Sequence, residues 1–154
     1  MSLVKINSVK IANNPAKYTD DIELEVSFDV VEDLEEDLEW KLIYVGSGSN
    51  KEYDQVLDAV SVGPVKAGIN QFAFKCSPPV AEKIPAEDLI GPTVLLLTCS
   101  YKDNKFIQVG YYVNNEYVEE ELRNNPPAVP ALDKIERNIA VDQPRLTTYA
   151  IEWK

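Results

Sequence analysis

Between residues 22 and 30 the chain reads Ile-Glu-Leu-Glu-Val-Ser-Phe-Asp-Val, apolar and polar side chains alternating without a break. Successive side chains of an extended strand point to opposite faces, so this run predicts a strand with one face in a core and the other in water. Residues 38–45 repeat the pattern, with Leu38, Trp40, Leu42 and Tyr44 on one side and Glu39, Lys41, Ile43 and Val45 on the other. The outer side turns apolar toward its end. Further strands are predicted at 4–11, 58–62, 70–76, 93–101, 106–114 and 145–153. The turn signals between strands are Asn13-Asn14-Pro15, Gly46-Ser47-Gly48, Gly63-Pro64, Ala67-Gly68 and Asp103-Asn104. Asn114-Asn115, beside the pair Tyr111-Tyr112, reads as one more turn. Helix is minor: 85–89 and 119–123 each suffice for about a turn, and Asn124-Asn125-Pro126-Pro127 stops the second. About eight strands at this spacing, with no βαβ rhythm, imply an all-β fold, an immunoglobulin-like β-sandwich with short helices in the connecting loops.

At 17.3 kDa with 45% hydrophobic residues, 1–154 is expected to form a single domain with a substantial core. No apolar run approaches the ~20 residues of a membrane span and no signal segment opens the chain, so a soluble, intracellular protein is expected. Cys76 and Cys99 are too few and too isolated for a disulfide framework or a thiolate zinc site, and read as buried free thiols. The absence of histidine removes His-based triads and the usual zinc sites, so neither an enzyme nor a metal or cofactor is expected. Net charge is −11, concentrated early: residues 1–60 carry 14 acids and 5 bases, or −9. Such a field repels nucleic acid directly and suits a basic protein partner.

The stretch 93–101 carries apolar side chains at both parities, Leu95, Leu97, Cys99 and Tyr101 on one face, Val94 and Leu96 on the other. Only one face can enter a two-layer core. Either a loop or helix covers Val94 and Leu96, or they belong to a contact surface. If 106–114 is the hairpin partner, Tyr112 and Gln108 join them, and Ile43 and Val45 extend the stripe. Asp54 and Asp88, taken alone, are solvated loop carboxylates. At the rim of an apolar patch they would select lysine or arginine on a partner. Residues 32–39 hold six carboxylates in eight positions. A solvated acidic turn accounts for them, as does docking of a basic peptide, particularly with Val62 and Phe72 as an apolar groove; the glycine and oxygen spacing of a calcium loop are missing. The segment 144–153 is either an edge strand open to a partner strand or one that merely closes a sheet.

These motifs resemble the anti-silencing histone chaperones, which bind the histone H3 and H4 heterodimer. The resemblance runs over essentially the whole chain: EDLEW at 36–40, YVGS at 44–47, EYDQVLD at 52–58, VGPV at 62–65, VGYYVNNEY at 109–117, ELR at 121–123, NPP at 125–127, and Pro144-Arg145 with Thr147. It implies an elongated immunoglobulin-like sandwich whose concave face holds the C-terminal helix of histone H3. Val45, Val94, Leu96 and Tyr112 match the apolar contact positions, and Asp54 and Asp88 the acidic rim. Tyr111, Arg145 and Thr147 match the places that capture the histone H4 tail as an added strand. Asp37, Glu39, Val62 and Phe72 fall on a groove for basic peptides of other chromatin-assembly chaperones. Where the family carries valine, arginine and arginine, this chain has Pro92, Gln108 and Thr148.

The function so implied is non-catalytic and nuclear: a monomeric chaperone for nucleosome assembly and disassembly that covers the H3–H4 pairing surface and hands histones on. Composition and periodicity by themselves fit equally a structural immunoglobulin-like interaction scaffold with no histone preference.

Overall fold

The computed structural model describes residues 2–47 and 51–153, without the side chains of residues 51, 86 and 87. Ten strands are present among them: β1 (Val4–Ile11), β2 (Ala16–Lys17), β3 (Ile22–Val30), β4 (Leu38–Val45), β5 (Asp54–Val62), β6 (Gly68–Cys76), β7 (Gly91–Tyr101), β8 (Asn104–Tyr117), β9 (Ile135–Ile139) and β10 (Arg145–Thr148). Two short helices lie in connections, α1 (Ala86–Leu89) and α2 (Glu120–Asn124). A three-stranded sheet runs β1-β3-β6, and a larger antiparallel sheet runs β2-β9-β8-β7-β4-β5 with β10 also paired to β8. The fold is the expected all-β, immunoglobulin-like sandwich.

The alternating runs behave as their pattern dictates. Ile22, Leu24, Val26, Phe28 and Val30 of β3 are buried, as are Leu38, Trp40, Leu42 and Tyr44 of β4, and Leu95, Leu97, Cys99 and Tyr101 of β7. Between the sheets Trp40 lies 5.3 Å from Phe28 and 5.2 Å from Phe72, ring centre to ring centre, in tilted contacts that add to simple burial. Both cysteines are free and buried, and burial, with Asp58 and Asp21 adding, pushes the Cys76 thiol up to about 12. Its thiolate is scarce at neutral pH.

Two sequence expectations are corrected. Asn114-Asn115 is not a turn: both residues lie within β8, Asn115 opposite Arg137 of β9. Asn115 is fully buried and its amide donates to the Tyr44 hydroxyl at 2.6 Å, a partner in the core that removes the usual reason for asparagine to seek a turn. The apolar residues at both parities of β8 have a local cause as well. The β7–β8 register shifts between Cys99 and Ser100, and the bulge turns both Phe106 and Ile107 inward. Finally, the C-terminal strand ends at Thr148 rather than running to 153; beyond it Trp153 stacks on Tyr101 at 5.3 Å and meets Phe106 edge-on at 4.6 Å. Gly46-Ser47-Gly48 runs into a stretch outside the described residues.

Candidate functional site

β7 and β8 form a long hairpin closed by Lys102 and Asp103, both with left-handed φ (51° and 66°), the backbone that a two-residue hairpin turn demands. Its register sets Val94 opposite Tyr112, Leu96 opposite Gly110 and Thr98 opposite Gln108. Directly opposed residues share a face, and Leu95, Leu97, Tyr111 and Val113 take the core side. Val94, Leu96 and Tyr112 therefore stand together on the outer face, where Tyr112 is 44% exposed. Ile43 of β4 pairs with Leu96 and extends the stripe sideways. Val45 follows it, with Thr93 Oγ1 donating a short hydrogen bond to the Val45 carbonyl.

Gly110, to which the sequence reading gave no role, shapes the floor of this stripe. A Cβ there would meet Leu96 Cδ2 at 3.5 Å and Val94 Cγ1 at 3.9 Å. The missing side chain leaves a cavity of about 180 Å³ lined by Val94, Leu96, Gln108, Gly110, Tyr111, Tyr112, Arg145 and Thr147. A glycine in the interior of an otherwise well-formed strand was the available signal. The Arg145 guanidinium lies 5.3 Å from the Tyr112 ring centre, a cation–π contact at the border of the cavity. At the far end Lys105 Nζ donates to Gln108 Oε1 at 2.9 Å, so a positive charge stands beside the position where the resemblance expects arginine.

The expected rim residues lie on elements next to those of the stripe. Asp54 is exposed at the start of β5, opposite Val45, and Asp88 sits partly buried in α1, three residues before β7 begins. The expected strand-capture residues divide. Arg145 and Thr147 are exposed on β10, which pairs antiparallel with β8 over Arg145–Thr148 and has no strand on its other side among the described residues. Tyr111 belongs to the cavity lining but is only 5% exposed, its ring turned to the core opposite Leu95, and burial raises its hydroxyl pKa.

The four residues of the expected peptide groove occupy two adjoining features. Asp37 and Glu39 line a polar depression of about 440 Å³ with Glu36, Ser61, Ser100, Lys102 and Asp103. Val62 and Phe72 lie half-buried at the open mouth of the sandwich instead, Val62 opposite Leu38 and Phe72 against Trp40. β5 and β6, which carry them, are edge strands of the two sheets. Asp37 packs against Gly63, the residue after Val62: a Cβ at that glycine would lie 1.7 Å from Asp37 Oδ1, so any larger residue would have to push the carboxylate aside. Glu39 pairs with Lys41 at 3.2 Å, an exposed bridge of small worth that a partner's cation can displace.

A buried polar cluster lies behind the site. Arg137, 1% exposed, donates from Nη1 to the carbonyls of Tyr18 at 3.3 Å and Asp20 at 3.0 Å, and from Nη2 to that of Asp21 at 3.2 Å. Burial lowers its pKa, against the pull of Tyr44, Asp20, Tyr18 and Asp21. Tyr18 in turn donates its hydroxyl to the Pro79 carbonyl at 3.1 Å. Nothing in the sequence marked Arg137, because a buried arginine reads as a surface residue.

Comparison with known proteins follows the same lines. The family model described as ASF1 like histone chaperone matches residues 1–154. Histone chaperone ASF1 of Saccharomyces cerevisiae is 54% identical over 153 residues, that of Chaetomium globosum 52% and that of Candida albicans 52%, each over 99% of this chain. The chain spans only 55%, 55% and 62% of those three proteins. With the whole chain matched and more than half its residues identical to these relatives, the protein belongs to the ASF1-like histone chaperone family.

Proposed function

We propose that residues 1–154 act as one non-catalytic, nuclear domain that binds the histone H3–H4 heterodimer as a monomer for nucleosome assembly and disassembly. The observation that carries this reading is the outward stripe of Val94, Leu96 and Tyr112 around the Gly110 cavity, in a chain of this family. A helix of H3 covers the stripe, and its basic side chains meet Asp54 and Asp88. The H4 tail adds as a strand to the open edge of β10, beside Arg145 and Thr147, with Tyr111 supporting the sheet from beneath. Basic peptides of other chromatin-assembly chaperones take the third surface, formed by Asp37, Glu39, Val62 and Phe72, and receive the histones in turn. Apolar burial on the stripe supplies affinity, while the net charge of −11 accelerates encounter with basic histones.

The test is the mass of the complex formed with recombinant H3–H4, measured by size-exclusion chromatography with light scattering. One chain with one heterodimer is expected. Val94→Arg places an unpaired cation in the apolar centre, at a cost of about 3–5 kcal/mol, and lowers affinity by at least about a hundredfold. Its thermal unfolding stays that of the parent, since Val94 faces away from the core. Unchanged histone binding by Val94→Arg would remove the stripe from the mechanism.

A further inference from the structure

The outer face of the hairpin does not end at Tyr112. Continuing along the outer face of the hairpin, the next opposed pair is Pro92 and Asn114, both exposed, and beyond it β7 begins at Gly91 while β8 runs on through Glu116. There the face opens into a second basin of about 460 Å³, larger than the Gly110 cavity, bordered by Ile90, Gly91, Asn114, Glu116, Arg123 and Pro126. Gly91, with φ 111°, turns the chain from α1 into β7 and leaves Ile90 at the surface, 36% exposed. Two residues along a strand advance about 7 Å, so the basin lies on the order of 14 Å from the Val94–Tyr112 pair along the hairpin, where the buried Asn115 and Tyr117 also line it. A partner helix seated on the stripe, or about four residues of extended chain beyond it, spans that distance.

The charges at the basin differ from those at the rim. Glu116 on β8 and exposed Arg123 on α2 stand at its border, and neither forms an ion pair among the described residues. An apolar recess with Glu116, and Glu136 directly opposite it on β9, at one border and Arg123 at another selects an apolar side chain set between a basic and an acidic residue.

We propose that the basin is an extension of the histone-binding face. The H3–H4 polypeptide that covers the Val94–Tyr112 stripe runs on over Pro92 and Asn114. It places an apolar side chain against Ile90, a lysine or arginine at Glu116 and a carboxylate at Arg123. This rests on the histone reading given above, and Pro92 is then a contact residue at the midpoint of a longer footprint rather than the end of a short one.

Calorimetric titration of recombinant H3–H4 heterodimer into the parent chain, Val94→Arg, Ile90→Asp and Arg123→Glu separates the two claims. Ile90→Asp and Arg123→Glu are each expected to weaken binding about fivefold or more, the range of a contributing interface residue. Amide exchange over residues 114–117, already slowed by the β7 and β9 ladders, should slow further when the complex forms than it does in the free chain. Arg123 is exposed on a short surface helix, so Arg123→Glu keeps the test decisive if Ile90→Asp disturbs the fold. Loss of binding in Val94→Arg with parental affinity in Arg123→Glu and no added protection beyond residue 113 relative to the free chain would overturn the extension and leave the stripe intact. Parental affinity in Val94→Arg would overturn the histone reading, and the extension with it.

Discussion

Gly110 is the residue whose side chain matters by being absent. Its φ is ordinary and its neighbours stand at contact distance from a hypothetical Cβ, so Gly110→Ala fits the sheet without displacing Leu96 or Val94. Removing a flexible residue from a strand interior then stabilises the fold by about 0.5–1 kcal/mol. Gly110→Leu is a different change, because the branched side chain fills the cavity that Tyr112 and Arg145 border. Its expected effect is a loss of histone affinity of about tenfold or more with the fold retained, read by calorimetry beside thermal denaturation. Equal histone affinity in the alanine and leucine variants would show that the cavity has no occupant. The outward positions of Val94, Leu96 and Tyr112 were legible because their parity contradicts that of Leu95, Leu97 and Tyr111. Gly110 was not, since its contribution depends on which side chains stand around it.

Legibility at the level of elements follows how each strand is buried. β3 and β4 are wet on one face, so their alternation was read with the bounds that the structure has. β9 was missed although it has the same period: Ile135, Arg137 and Ile139 face inward, and an arginine at the central core position makes Ile-Glu-Arg-Asn-Ile read as polar. β10 is exposed at all four residues, so no burial pattern marks its end. Arg137 is also the energetic keystone of its edge of the sheet, since three carbonyls of the 18–21 turn accept its protons. Arg137→Met retains the apolar stem and leaves those acceptors without their donor. A loss of about 2–3 kcal/mol is expected, seen as a fall in melting temperature of about 5–10 °C. An unchanged melting temperature would mean that water replaces the guanidinium without cost.

Across the whole molecule, the proposed surfaces stand on separate parts of one sandwich. The stripe and β10 share the outer face of the larger sheet around β8, whereas Asp37, Glu39, Val62 and Phe72 gather near its β4–β5 edge and the sandwich mouth. Rigid packing around Trp40 separates them without any requirement for movement. Asp37→Arg should therefore weaken a basic chaperone peptide by about tenfold or more while histone affinity changes little, as competition titrations on the same sample would show. Simultaneous loss of both would mean that the surfaces are one.

The shortness of β10 bears on timing. Four residues offer an incoming strand only a few backbone bonds, so a tail held there alone departs quickly. Tethered to a helix already seated on the stripe, the same tail rebinds at a local concentration in the millimolar range. Either arm can let go and return while the other holds. On the proposed histone reading, a competitor that captures one released arm gains its grip in stages, and the cargo changes owners without ever diffusing free.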